Sequence, residues 1–332
     1  MTRSLLVLVL ALLAFQAGTA FAQCPAGTWE PLAPLNEPRQ ELAAAELDGR
    51  VYAVGGLGGR SNANEIYDIA TDAWTFGADL PVTTDHSWAV SFGTRVYVGG
   101  GSSNRAFFYE PASDAWTEVA SSAFVHGGTP VAAVIDGRIF VAGGAGGGMA
   151  GNELEAYDPA TDRWSTLAPM SCARNHMGGG AIAGTLYVAG GRPGNQSCVE
   201  AYDPAANTWT PRASMPTARS GVAGAAVGRC LYIFGGEGNP SDPNGIFHEV
   251  EAYDPATDSW VELPPMRTGR HGIYAAVRGN AVYLPGGATA EGLGTTGVND
   301  AYVIDLAGPA PRQPIVLTDP RLRPTPRALP RD

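Results

Sequence analysis

The chain has 332 residues, with 21 basic and 32 acidic side chains for a net charge of −11, and every basic residue is arginine. That balance argues against nucleic acid and anionic membrane surfaces as partners, and the lack of lysine excludes Schiff-base or lysine-base chemistry. Glycine (44) and proline (26) call for many turns, and the glycines recur at a fixed period, unlike low-complexity sequence.

Residues 1–22 read as a secretory signal peptide: Arg3 in the n-region, an apolar run from Leu5 to Phe15, and Ala20-Phe21-Ala22 as the cleavage site. The mature chain is then expected to begin at Gln23 and to be secreted or periplasmic. Cys24 follows Gln23, where a lipoprotein would need a small residue. No later apolar run is long enough for a membrane span.

From residue 23 to 307 one unit repeats. Six Gly-Gly doublets, at Gly55, Gly100, Gly143, Gly190, Gly235 and Gly286, lie 45, 43, 47, 45 and 51 residues apart. Each ends a short apolar segment with an aromatic three positions earlier (Tyr52, Tyr97, Phe140, Tyr187, Tyr232, Tyr283). Each is followed by a tyrosine (Tyr67, Tyr109, Tyr157, Tyr202, Tyr253, Tyr302). A tryptophan lies seven residues after the first five: Trp74, Trp116, Trp164, Trp209 and Trp260. Small residues such as Ala43-Ala44-Ala45 suit inner strands crowded around an axis. The second strand is β-branched or aromatic, and Asp158-Pro159 is turn chemistry.

Double glycine, tyrosine and tryptophan at this period resemble the kelch repeat over nearly all of residues 23–307. The resemblance implies an all-β, six-bladed kelch propeller with four-stranded antiparallel blades. Tyr302 has no tryptophan after it, and Trp29 has no tyrosine before it. The strand around Trp29 is therefore expected to close the ring as the fourth strand of the last blade. The spacing agrees: Trp29 precedes the next doublet by 26 residues, as do Trp74, Trp164, Trp209 and Trp260, with 27 for Trp116.

Ten residues past each tryptophan stand Arg39, Thr84, His126, Arg174, Arg219 and Arg270; two before each tyrosine stand Glu65, Phe107, Glu155, Glu200, Glu251 and Asp300. The columns vary together, which predicts structural charge pairs joining strands one and three rather than an anion-binding ring. Length variation is confined to the loop between strands two and three, longest at Glu237 to Glu249 and Ala288 to Asn299. That loop shares a face with the connections between blades, where binding is expected. Candidate contacts there are Arg60, His86, Trp88, Arg105, His176, Arg192, Glu237 and His271.

His86, His126, His176 and His271 all fall near the start of a first strand, in three registers, which favours a polar rim over a metal site; no cofactor is expected. Gly143 to Gly151 is read as a loop, since it has no lysine and leads to a strand. Cys172 and Cys198 lie on one face and are placed to form a disulfide. Cys24 and Cys230 lie towards the other face, where pairing and free thiols both stay open. Residues 308–332 form a proline- and arginine-rich tail, expected to be disordered.

The leading expectation is a monomeric, non-catalytic module that binds a protein or a glycan through the strand two–three and inter-blade loops. The chain also resembles the periplasmic sialic-acid mutarotases, which implies Glu237 as an acid–base. The arginine that family carries shortly beyond it is missing from Gly238 to Gly245. The propeller of galactose oxidase is similar too and would imply a copper enzyme, but its tyrosine, cysteine and histidine ligand set has no match here.

Overall fold

The computed structural model describes residues 23–146 and 149–306; the proposed signal peptide and the tail lie outside them. The described residues form 24 strands in six four-stranded antiparallel sheets, and no helix among them is long and apolar enough to cross a membrane. Each blade runs outward from an inner strand. In blade one the order is Ala43–Leu47, Arg50–Val54, Asn64–Asp68 and Ala73–Phe76.

Closure follows the expected route. Gly27–Leu32 pairs antiparallel with Asn299–Ile304, with Trp29 opposite Tyr302. Both free edges of an open ring are thereby removed. Cys24, just before this closing strand, is disulfide-bonded to Cys230 at the start of a blade-five strand. The expected bridge between Cys172 and Cys198 is not the one present. Those two are free thiols with their sulfurs 2.7 Å apart. The segment read as a loop at Gly143 to Gly151 is also corrected: Arg138–Gly146 and Met149–Asp158 run through it as an extended hairpin with an irregularity between Ala142 and Gly144.

Neighbouring blades are fastened by a repeated staple. Asp72 Oδ1 accepts the Tyr67 hydroxyl of its own blade at 2.7 Å and the amide of Ala33, entering from the previous blade, at 2.8 Å. Trp74 Nε1 donates to the carbonyl of the same Ala33. Asp114, Asp162, Asn207 and Asp258 repeat the arrangement. Blade six lacks the acid, and there the Gly27 amide donates to the Tyr302 hydroxyl. The first doublet glycine is required by close approach. A Cβ on Gly55, at φ 68°, would lie 2.5 Å from the Thr84 carbonyl, to which the amide of Gly56 donates.

The charge columns meet inside the blades. Arg39–Glu65, Arg174–Glu200, Arg219–Glu251 and Arg270–Asp300 pair at 2.5–2.9 Å, and His126 meets Glu155 at 3.0 Å, all buried. The arginine forks are consumed by the wall. Arg270 donates to the carbonyls of Leu284, Gly286 and Val298 besides Asp300. The acids also collect the connecting loop, as Glu200 does through the amides of Ser171 and Cys172. Removing one partner strands a buried charge. Arg219→Met is therefore expected to lower unfolding free energy in urea by about 3–5 kcal/mol. Adding Glu251→Leu is expected to recover most of that loss.

Candidate functional site

Two residues beyond the charge column, the backbone makes a belt around the axis. The amide of Glu41 donates to Gly272, His86 to Glu41, Thr129 to His86, His176 to Gly128, Gly221 to His176, and Gly272 to Gly221, at 2.6–3.0 Å. The circle is complete. Blade three carries one extra residue before its doublet, and Gly128 there supplies the carbonyl that Thr129 would otherwise give. All six amide donors have positive φ: Glu41 52°, His86 53°, Thr129 54°, His176 55°, Gly221 69° and Gly272 58°. Glycine relieves that conformation in blades five and six; the other four blades hold a side chain there at a cost of about 1–2 kcal/mol each.

Those side chains turn over the axis. Glu41 Oε2 lies 3.8 Å from His86 Nε2 and accepts the Thr129 hydroxyl at 3.1 Å. The rings of His86 and His176 are 5.0 Å apart, centre to centre. His271 Nδ1 stands 3.4 Å from Glu237 Oε2 and 3.8 Å from Glu41 Oε1. Arg192 reaches in from the blade-four loop, bonding Glu237 Oε1 at 3.0 Å and touching His176 Nε2. The two longest loops fold across this mouth. The Glu291 amide bonds Asn244, the Gly292 amide bonds Glu237 Oε2, and Gln40 Nε2 donates to the Gly292 carbonyl.

Below the belt the axial cavity measures about 270 Å³ and is lined by small residues, among them Ala44, Ala89, Gly179 and Ala225. Tyr274, two residues past the belt, enters it from blade six and packs against the apolar clusters on both sides of the axis, one holding Ala44 and Ala276, the other Trp88 and Val141. The mouth is consequently a recess with a floor.

Two imidazoles are tuned in opposite directions. Burial works against charge on His86, but its bond to Asp85 (2.5 Å) and the nearby Glu41 outweigh it and raise its pKa above 6.5. His176 is pushed down to about 2 by burial and then by the positive Arg192. Its Nδ1 donates to Asn175 Oδ1 at 2.7 Å, so the Nε2 lone pair faces inward.

Of the eight sequence candidates, the structure brings together His86, His176, Arg192, Glu237 and His271. Arg60 and Arg105 stand apart at the rim, exposed and paired with Glu37, Asp79 and Glu118. Trp88 is core, 2% exposed and packed edge-on to Trp164. Three histidines converge despite their two registers, while His126 stays in the wall. Sequence reasoning missed Glu41, Asp85, Thr129 and Asn175. The column twelve past each tryptophan contains Glu41 beside His86 and His176 and was the available signal.

A propeller of six such blades, pinned by buried charge pairs and Gly-Gly turns, is a kelch architecture. The Kelch motif family model matches residues 38–81, 128–171, 173–216 and 218–267, more than half of the chain, and the chain belongs to the kelch-repeat family. It is 30% identical over 295 residues to the Kelch-like protein terF of Aspergillus terreus, covering 83% of this chain and 55% of that protein. The chain thus spans about half the length of that relative. The human Kelch repeat and BTB domain-containing protein 13 is 42% identical over 57 residues, 17% of this chain and 12% of its own length. The solved structure of YjhT superposes with a TM-score of 0.69 at 18% identity, covering 80% of this chain and 95% of that one, a likeness of fold.

The opposed tuning has a measurable sign. The unfolded chain protonates His176 below about pH 6.5 while the folded chain does not until near pH 2, so that contribution to stability is lost as pH falls across this range. His86 contributes the reverse: its stabilisation is full below pH 6.5 and lost as pH rises through its raised folded value. In an NMR titration with chelator present, the His176 ring should stay flat from about pH 8 to 4 while His86 titrates with a midpoint above 6.5.

Proposed function

We propose that this chain is a secreted or periplasmic kelch propeller whose axial mouth binds a glycan. The observation that carries the reading is convergence: side chains from blades one, two, four, five and six meet over a recess floored by Tyr274. Two carboxylates, three imidazoles and one guanidinium gathered in this way match the closely spaced hydroxyls and any acidic group of a sugar. A broad protein partner would instead engage the rim, where Arg60 and Arg105 are already paired with acids. Export, expected from residues 1–22, would place the recess among envelope or extracellular glycans.

A second reading, catalysis of the mutarotase type, is favoured by one contact. The arginine absent from the segment after Glu237 is supplied from the neighbouring blade: Arg192 pairs with Glu237 at 3.0 Å, with His271 Nδ1 at 3.4 Å on the other carboxylate oxygen. A carboxylate and an imidazole in contact are equipment for moving a proton between sugar oxygens.

One set of proteins tests both readings. On a glycan array followed by NMR titration, the combined His86→Ala, His176→Ala and Arg192→Ala variant should lose at least about 100-fold in affinity, the scale of several lost polar contacts. Retained affinity would place binding elsewhere. Anomer exchange of the bound sugar that wild type accelerates and Glu237→Gln does not would establish catalysis. Binding without acceleration would leave a binding module.

A further inference from the structure

We propose that Glu41, His86 and His176 form a binding site for a divalent first-row transition-metal ion on the propeller axis. A carboxylate oxygen of Glu41 and a ring nitrogen of each histidine lie within 4.8 Å of one another. Two imidazoles and one carboxylate, with positions left open for water or a ligand, are a donor set that suits Zn²⁺ or Fe²⁺ rather than Ca²⁺ or Mg²⁺.

The groups behind these donors are arranged for ligation. His86 Nδ1 is held by Asp85 Oδ1 at 2.5 Å and His176 Nδ1 by Asn175 Oδ1 at 2.7 Å. Such partners fix the ring orientation and direct Nε2 towards the ion. The Thr129 hydroxyl steadies Glu41 Oε2 at 3.1 Å.

A separate observation asks for a cation here. His271 is 1% exposed, and its Nε2 meets the Ala290 carbonyl at 2.9 Å, which fixes the proton on Nε2. Its Nδ1 has no hydrogen-bond partner, although Glu41 Oε1 and Glu237 Oε2 stand 3.8 and 3.4 Å away. An unpartnered ring nitrogen and two carboxylates thus converge in a buried space, and positive charge beside Glu41 offsets the repulsion between those carboxylates. Arg192 supplies part of it from the rim and also covers His176 Nε2. The ion would take that nitrogen and leave Arg192 on Glu237. Tetrahedral ligands on bonds of about 2.1 Å stand roughly 3.4 Å apart, so loading draws the three groups together by about an ångström.

The proposal concerns the recess described above but needs no sugar, and its test uses none. The purified full chain is stripped with chelator and titrated with ZnCl₂ by calorimetry, and with Co²⁺ by visible absorption, where ligation gives ligand-field bands. One ion per chain is expected. His86→Asn with His176→Asn, chosen because asparagine tolerates positive φ, should weaken binding by more than about 100-fold, and Glu41→Gln by about 10-fold or more. Arg192→Ala should hold or increase affinity, and His248→Ala, on an exposed loop, should change nothing. Thermal melts confirm that each variant is folded; should the double variant fail to fold, Glu41→Gln and Arg192→Ala carry the decision. Failure of wild type to bind one ion, survival of binding in the histidine variant, or its loss in His248→Ala would overturn the site. Repeating the glycan array in chelator separates the two proposals, since metal binding and glycan binding can then fail independently.

Discussion

Six backbone amides circle the axis of this propeller, each donating to a carbonyl of the blade beside it and closing on the first. The inner strands leave this belt, the doublet glycines pack against its entry, and Glu41, His86, Thr129 and His176 project from it over the recess. Forming the circle requires every inner strand to start at the same height and with the same positive φ. The blades therefore cannot slide along one another without breaking it. Where blade three has an extra residue, Gly128 takes over the carbonyl role and the circle survives. This is a case of a rigid frame absorbing a length change so that its neighbours keep their register.

The rest of the fold serves that register at larger radius. Buried pairs such as Arg174–Glu200 fix strand one to strand three and hold the connecting loop. They gain little in net stability over an apolar replacement, but each specifies one arrangement of three chain segments. Further out, the aspartate staple and the tryptophan indole join each blade to its predecessor. Blade two has Thr84 and Phe107 in place of the pair, and packs Phe107 into an apolar cluster with Val98 and Tyr109. One missing pair is tolerated because the belt and the staples on both sides remain.

What could be read from the sequence was whatever repeats within one blade. Six doublets and five tyrosine–tryptophan spacings specified the blades, and the unmatched Trp29 and Tyr302 specified the closure. The charge columns were legible because both partners sit at constant offsets from the same landmarks. The recess was only half legible, because its contacts join different blades: Arg192 to Glu237, Glu41 to Thr129, His271 to both glutamates. Position on the correct face did not distinguish radius, so Arg60 and Arg105 were grouped with residues on the axis. Trp88 follows His86 by two residues and points into the wall instead. The cysteines show the same limit. Closure brings Cys24 beside Cys230 across 206 residues, a contact that no local spacing announces.

The central claim is that the belt behaves as a single unit and so holds the functional side chains in place. Native-state amide hydrogen exchange tests it most directly, read at Glu41, His86, Thr129, His176, Gly221 and Gly272. If the belt is cooperative, all six amides open with one common free energy, close to that of global unfolding in denaturant. Faster exchange at His86 or His176 than at the inner strands below them, through local opening of single blades, would contradict it.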